Sequence, residues 1–540
     1  VSTTAPSQRF DRGRLVRTSS QVAAGTLLSR LTGLLRIVFT AAAIGDRAAA
    51  DAYNLANVAP NIVYELLVGG ILSATLVPLF VRAQEQHDDE GPSAIASLSF
   101  GAVVALTSVA VLGAPLVARL YGSSPGVGAS GQKYDLLVVY LHLILPEILF
   151  YGLTALLTAA LNARRRFAAA AFAPALNNVV VCLVMLFIAK VYGPNVGSHV
   201  IAQLVVGLGT TAGIAAMAFV LLVAWRRTPG AHFEWNWDIH HPLVRDLRRM
   251  AGWTVGYVIA NQVALFVVLR MANHADPGTV TAYQLAFVFF QLPHGLITVT
   301  IMTTFLPELS ESAGSRNMDA YRRRFATGIR LIMSPLLSAG AWMLVFAAPL
   351  ARFALDHGAF TTHGADTVGA TVAVLALGLP AFSTYLYTCQ GFYALKDTRT
   401  PFLVSVLENT ANVLLALLFV RWGSAGLGGA YAIAYWIAAV VIVRVLQQVI
   451  RFHWPLIRDT LRGVSRSLFL AVVVGLIGWG VARALEHQPD LVVLLVGGLV
   501  TGTVFVLGGF AIRADGFVEA RTFLVRRWAG RHGAPGADGP

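Results

Sequence analysis

The sequence predicts an all-α membrane protein that crosses the bilayer about 14 times, as two parallel six-helix lobes plus two extra C-terminal helices. Three observations predict it. Apolar runs of about 20 residues, long enough to cross a hydrocarbon core as a helix, follow one another with short connections. Only 12% of the 540 residues are charged and mean hydropathy is +0.67, whereas soluble domains carry about 25% charged residues. Finally, the middle of the chain repeats its beginning.

In lipid, backbone groups must be paired within their own segment, so long apolar runs mean helices. The short alternating segments of a barrel are absent from the sequence. The runs place helices at roughly 19–44, 52–83, 94–120, 133–161, 169–191, 198–225, 248–274, 279–307, 325–354, 366–394, 399–421, 426–450, 463–485 and 491–513. Pro60, Pro146, Pro293, Pro335 and Pro380 fall inside these runs. They predict kinks of the kind tolerated where helices line a cavity. The first run begins near Ser19, carries two arginines and is too long for the core of a cleavable leader.

The basic residues set the expected orientation. With the N-terminus placed in the cytoplasm, 28 of the 40 Lys and Arg fall in inside segments and seven in outside loops: Arg47, Arg119, Lys133, Lys190, Arg352, Arg421 and Arg483. Arg30, Arg36, Arg270, Arg330 and Arg444 lie within helices. An even number of spans with both ends inside follows. The net charge of +13 therefore reflects topology, and no nucleic acid is expected as a partner. Cys182 and Cys389 sit in separate apolar runs and are expected to be unpaired thiols.

The repeat has an offset of 234 around its proline motif. Pro146 meets Pro380, Tyr151 meets Tyr385, Arg165 meets Arg399 and Asn178 meets Asn412. Earlier, Ala52, Tyr53, Leu55 and Ala56 are echoed by Ala282, Tyr283, Leu285 and Ala286. An even number of helices per copy gives a parallel repeat. The expected organisation is a cytoplasmic segment 1–18, an N-lobe 19–227, a C-lobe 228–455, the last two helices in 456–515 and a cytoplasmic tail 516–540. The Gly-, Ala- and Pro-rich stretch after Arg531 is expected to be disordered or a linker.

Charges inside the membrane are the candidate functional groups. An arginine at bilayer depth costs about 2.5–3.5 kcal/mol even on the lenient insertion scale. Arg30 and Arg36 stand about 120° apart on the first helix, with Ser29, Thr32 and Gly33 around them. They read as a cationic lining for an anionic substrate, because the guanidinium fork pairs bidentately with phosphate. The bland reading is a structural pair with Glu65 or Glu147, or snorkelling to the nearer surface. Asp51 opens the second helix as a cap, gate or counter-charge. Ser29, Asn61, Glu65 and Glu147 are gating or counter-charge candidates, and Arg270 and Glu408 are weaker ones. His142 reads as a packing residue. The clusters at 164–166 and 322–324 read as anchors attracted to anionic lipid. No catalytic residues, metal ligands, P-loop or other cofactor motif are found, so no enzyme activity and no cofactor are expected. A coupling ion (H+ or Na+) or the membrane potential is the expected energy source.

The chain resembles the MurJ (MviN) lipid II flippase family of the MOP exporter superfamily. The resemblance rests on Ser29, Arg30, Gly33 and Arg36; Ala50, Asp51, Ala52 and Tyr53; Pro60 and Asn61; Ser73, Val77 and Pro78; Leu161, Asn162, Arg166 and Phe167; Ala171, Phe172, Ala173, Pro174 and Asn177; Gly391, Phe392 and Tyr393; and Asp397, Thr398, Arg399, Thr400 and Pro401. It implies alternating-access transfer of an undecaprenyl-pyrophosphate disaccharide-pentapeptide from the inner to the outer leaflet of a bacterial plasma membrane. It further implies that Arg30 and Arg36 contact the pyrophosphate in a central cavity. A groove by the last two helices would take the lipid tail. Membrane lipid, the lipid-linked precursor and cell-wall synthesis proteins are the implied partners. The family's arginine pair after Pro60 and Asn61 is missing, since the positions read Tyr64 and Glu65, and its helix-eight arginine aligns with Val288. Another polyprenyl-linked cargo, a multidrug or cation antiporter of the same superfamily, and a scaffold for cell-wall enzymes are the alternatives. Acids in place of arginines in the N-lobe would favour the antiporter.

Overall fold

The computed structural model describes residues 12–65, 76–86, 88, 90–123, 129–164, 166–451, 454–512 and 517. The expected N-terminal segment before residue 12, the middle of the second expected helix with Ser73, Arg165, and the expected linker after Arg531 lie outside the described residues. Among the described residues every regular element is a helix.

Each of the expected spans coincides with one helix or one interrupted helix. The first copy comprises α1 (Arg12–Ile44), α2 (Ala48–Glu65) with α3 (Val77–Gln86), α4 (Glu90–Leu112) with α5 (Ala114–Leu120), α6 (Ala129–Ile144) with α7 (Glu147–Ala163), α8 (Phe167–Val191) and α9 (Val200–Arg226). The second comprises α10 (Pro242–His274), α11 (Thr279–Pro293) with α12 (Val299–Gly314), α13 (Met318–Leu355), α14 (Thr362–Ala376) with α15 (Leu379–Ala394), α16 (Arg399–Phe419) and α17 (Gly423–Val449). α18 (Trp454–Ala484) and α19 (Asp490–Ala511) follow. Ten stretches among the described residues are long and apolar enough to cross a membrane, or 11 when the bent pair α14–α15 is one span. One of those stretches contains both α16 and α17, which pack on each other. α2–α3 is interrupted by undescribed residues, and the apolar part of α10 is the shorter Val258–His274.

Four helices start well before their apolar runs: α1 at Arg12, α10 at Pro242, α13 at Met318 and α18 at Trp454. Hydropathy marks where lipid begins, not where a helix must stop. At α13 the start is set by Asn317, whose side-chain oxygen accepts from the Ala320 N–H at 3.0 Å.

The chain divides into two compact units, residues 1–262 with 357–360 and residues 263–356 with 361–540. The division falls inside α10 rather than at 227/228. The last two helices are not a body of their own, because α18 and α19 pack on α13 within the second unit. Phe346 of α13 is fully buried against Gly478 of α18 and Gly497 of α19. A side chain at Gly497 would collide with that ring; small residues are what permit such close helix contact in lipid. Arg352 closes the same corner with ion pairs to Asp366 at 2.9 Å and Asp490 at 3.2 Å. In the first unit α1 lies along α8 so closely that a side chain at Gly25 would come within 2.9 Å of the Ala171 backbone.

The repeat is visible in the elements themselves. α1 and α10 are both 33 residues long and their bounds differ by 230 at each end. The runs 133–161 and 366–394, expected to be kinked helices, are each broken in two. α14 and α15 meet at a bend of 51°. Proline has no N–H to continue the ladder, so carbonyls at the break need other donors. In the first copy the Leu143 carbonyl accepts from Thr211 Oγ1 of α9 at 2.6 Å. In the second the Leu377 carbonyl accepts from Trp436 Nε1 of α17 at 2.9 Å. Leu143 and Leu377 are 234 residues apart, the offset of the repeat. Two different side chains, each from the last helix of its copy, solve the same problem. Interhelical bonds in membranes contribute about 0.5–2 kcal/mol. Thr211→Val and Trp436→Phe are each expected to lower stability by that amount, read as an earlier thermal unfolding midpoint in detergent.

Candidate functional site

The charged residues inside the first unit are gathered by α1, α2, α6, α7 and α9. On α1, Gly25, Ser29, Thr32, Gly33 and Arg36 fall within an arc of about 100°. That arc meets α8: Asn178 Nδ2 donates to the Ser29 carbonyl at 3.0 Å and to Thr32 Oγ1 at 3.2 Å. Ser29 thus contributes its backbone to the α1–α8 seam. Leu27, Leu28, Leu31 and Leu35, all 44–61% exposed, occupy a separate arc. This is the tail-facing stripe of the helix. Arg36 lies on the α8-facing arc and is half-buried, while Arg30 is exposed in the sector between the two arcs. Neither arginine sits on the leucine stripe.

Arg36 stands within electrostatic reach of Glu147 and Tyr151 of α7, Tyr53 of α2 and Cys182 of α8. Glu147 is 1% exposed and begins α7 directly after Pro146, where the helix dipole favours a carboxylate. Its neighbour Thr211 is the residue that satisfies the break. One carboxylate oxygen of Glu147, Oε1, has no hydrogen-bond partner among the described residues. Arg36 and Arg30 likewise make no ion pair within 4.0 Å among the described residues. The charges of Arg36 and Glu147 are thus within electrostatic reach, and no contact pair between them is found among the described residues.

The other expected residues surround this core. Asp51 is fully buried in the first turn of α2 and pairs with Lys133 Nζ at 3.4 Å. Lys133, expected in an outer loop, belongs to α6, and Arg352, expected likewise, belongs to α13; each reaches acids on other helices. Asn61 binds its own helix through the Asn57 carbonyl and accepts from the Tyr151 hydroxyl at 3.1 Å. Tyr64 packs against Tyr151 with ring centroids 4.6 Å apart and planes tilted by 41°. Glu65, the last described residue of α2, is exposed, and no hydrogen bond or ion pair among the described residues joins it to the Arg36 group. His142 is exposed and bonds the Val138 carbonyl of its own helix. In the second unit Arg270 is exposed on α10, whereas Glu408 is buried on α16 within the field of Tyr283. Both cysteines are free and buried, and among the described residues no group of side chains could hold a metal.

The 164–166 and 322–324 clusters are partly structural. Arg164 lies 4.5 Å over the Trp225 ring and donates to the Gly230 carbonyl at 2.6 Å. Arg322 donates to the Ile450 carbonyl and Arg324 to Ser312 Oγ, each at 2.6 Å. Sequence reasoning also missed Lys133, Tyr53 and the buried pair His294–Ser383 (2.9 Å) at the π-helical turn His294–Thr298. Only the prolines nearby gave a local signal.

The site is confined to one copy of the repeat. Positions matching Arg30, Arg36 and Asp51 at the offset of 230 are Ala260, Phe266 and Thr281. The position matching Glu147 at 234 is Ala381.

A family model described as "Lipid II flippase MurJ" matches residues 40–497 of the chain. The chain belongs to the MurJ lipid II flippase family. A probable lipid II flippase MurJ of Rhizobium meliloti is 29% identical over 469 residues, covering 85% of each chain. The lipid II flippase MurJ of Burkholderia cenocepacia is 27% identical over 423 residues, covering 76% of this chain and 80% of its own. A solved lipid II flippase MurJ in its inward closed conformation has the same fold, with a TM-score of 0.75 at 21% identity, covering 91% of this chain and 98% of that one. An inward-facing MATE multidrug transporter of the MOP superfamily shares it at 0.66 and 15%, covering 78% and 94%. The protein is therefore a multi-pass bacterial membrane protein with the MOP transporter fold.

The MurJ motif at 397–401 has a physical explanation. Asp397 Oδ1 accepts the N–H groups of Arg399 and Thr400 at 2.9 and 3.0 Å, and Oδ2 accepts Thr400 Oγ1 at 2.7 Å. The carboxylate thus caps α16. Slight burial raises its pKa, but the bonds from Thr400 and Arg399 and the Arg399 charge outweigh it and hold the carboxyl below its ordinary value. A depressed carboxyl stabilises the fold above its unfolded pKa and loses that contribution as pH falls through its folded pKa. Hydrogen-exchange protection of the first turn of α16, corrected for intrinsic rates, is expected to hold from neutral pH and to fall below about 4. Asp397→Ala should remove about 1 kcal/mol of it at neutral pH, and less at acid pH, where the wild-type carboxylate has itself lost the contribution.

The Asp51–Lys133 pair gives a second expectation. Removing one partner of a buried pair costs about 3–5 kcal/mol, because the other charge is left uncompensated. Asp51→Asn and Lys133→Met should each destabilise strongly, and the double variant less than the sum. A double-mutant cycle of unfolding in detergent measures this.

Proposed function

We propose that this chain moves lipid II, the undecaprenyl-pyrophosphate-linked disaccharide-pentapeptide, from the inner to the outer leaflet of the bacterial plasma membrane by alternating access. It acts as a transporter and not as an enzyme. Arg30 and Arg36 contact the pyrophosphate. The observation that carries this reading is Arg36: half-buried within the first unit, off the leucine stripe, and opposed by Glu147 without a contact ion pair. Among the described residues nothing occupies its five N–H donors, which suit a planar or tetrahedral oxyanion. Membership of the MurJ family supports the substrate. Both termini are cytoplasmic, which the 28-to-7 distribution of basic residues supports. A proton or sodium gradient, or the membrane potential, drives the cycle, and cell-wall synthesis proteins receive the product.

Lipid II exposure on the outer face, followed in cells depleted of the native protein and complemented at matched expression, tests the site. Losing a charge-assisted bond of about 1.5–3 kcal/mol predicts a fall of about tenfold or more for Arg36→Ala. Arg30→Ala should fall in the same direction, and Arg36→Lys, which keeps charge without the fork, should restore exposure in part. Full restoration by both alanine variants would end the phosphate-contact role.

A further inference from the structure

The loop joining α9 to α10 has a feature that flipping does not use. We propose that residues 231–241 form an interfacial anchor, inserting Phe233, Trp235, Trp237 and Ile239 into the boundary between phospholipid headgroups and acyl chains beside α4.

The segment is extended and is held to α4 by two serines. The Glu234 N–H donates to Ser93 Oγ at 3.3 Å and the Asn236 N–H to Ser97 Oγ at 3.0 Å. Trp235 meets Phe100 with ring centroids 5.7 Å apart, and Trp237 lies against Gly101, where any side chain would collide with its ring. The strap therefore climbs α4 from Ser93 to Gly101. It then turns back: the Asp238 N–H donates to Asn236 Oδ1 at 3.0 Å and the His240 N–H to Asp238 Oδ1 at 2.8 Å. His241 returns to Asp88 at 3.7 Å and to Gly91. From Gly91 to Gly101 the excursion is about 15 Å along the helix axis at 1.5 Å per residue.

Extended backbone has a period of two, and alternate residues here are the apolar ones. Phe233, Trp235, Trp237 and Ile239 are 42%, 60%, 56% and 53% exposed. The three rings form one surface, with Phe233 and Trp235 5.0 Å apart and Trp235 and Trp237 stacked at 5.9 Å, and the exposed Ile239 follows in the turn. Four such side chains left open to water would be an aggregation liability.

The bilayer is the occupant for two reasons. The patch is continuous with lipid-facing surface. Val104 and Leu112 lie on the Gly101 side of α4, three and 11 residues on, and are 38% and 83% exposed on a membrane-spanning helix. The patch ends where that band begins, at the depth where tryptophan, apolar in body with one N–H, partitions best. The flanking Arg226, Arg227 and Arg245 are exposed, matching anionic headgroups.

The test uses the full chain with Cys182→Ser and Cys389→Ser, reconstituted in phosphatidylethanolamine–phosphatidylglycerol vesicles. Single cysteines at 233, 235, 237 and 239, and at 234 and 238, carry a nitroxide. Collision with oxygen is compared with collision with a water-soluble nickel chelate. At the four apolar positions oxygen should dominate, and at 234 and 238 the ratio should reverse. Nickel-dominated collision at the apolar positions would mean a water-facing surface for a soluble partner. Shielding from both reagents would mean cover by protein, including a second copy. Either result overturns the proposal. Should one variant fail to fold, the remaining positions report the same face.

Discussion

The bilayer offers no hydrogen-bonding solvent, so every backbone N–H and C=O at depth must find its partner within the protein. This constraint makes every regular element among the described residues a helix, and it decides where a helix is allowed to break. Both Pro146 and Pro380 interrupt an apolar run, and both breaks persist because a neighbouring helix supplies the missing donor. Thr211 does this for the Leu143 carbonyl and Trp436 for that of Leu377. The chemistry differs and the position does not, which marks the break itself as the inherited feature. In the first copy the break has a second consequence. It starts α7 afresh at Glu147, deep in the unit, where an acid would otherwise have to sit mid-helix without a dipole to favour it.

The duplication separates scaffold from chemistry. α1 and α10 match in length, and the broken pairs α6–α7 and α14–α15 match in form. Yet the second copy holds Phe266 and Ala381 where the first holds Arg36 and Glu147. Its own buried acid, Glu408, comes from α16 instead. An ionisable group at bilayer depth is costly wherever it stands. A scaffold function alone would not keep two arginines and an acid in one copy when the other folds the same way with apolar residues.

The fold was legible because lipid makes sequence local: twenty apolar residues and an arginine bias suffice to place a helix and a loop. The candidate arginines were legible for the same reason, as exceptions inside an apolar run. Lys133 was not. It pairs with Asp51 across 82 residues of chain, and nothing in either neighbourhood announces the other. Pro146 signalled a disturbance, but whether a proline bends or breaks a helix depends on donors from elsewhere, here Thr211. Charges past the apolar edge were taken for loop when α10, α13 and α18 simply continue into the aqueous phase. The period of two from Phe233 to Ile239 is written in the sequence. With no second strand to pair with, it resembles an ordinary linker until Ser93 and Ser97 are seen to hold it.

The Arg36–Glu147 arrangement shows how an interior charge can be stable and still usable. A contact ion pair would occupy the guanidinium fork, and a substrate phosphate would have to displace the carboxylate before binding. A solitary arginine would meet the full desolvation penalty with no compensation. Opposed charges at non-contact range lie between these limits. The field of Glu147 offsets part of the cost of Arg36, while among the described residues Arg36 makes no ion pair and the Glu147 Oε1 acceptor has no hydrogen-bond partner. In the proposed role, a doubly charged pyrophosphate would gain bidentate hydrogen bonds there without first displacing a contact ion pair, and its departure would restore the same balance. A site of the proposed kind would bind and release on small free-energy differences, which is what a carrier that must let go of its cargo requires.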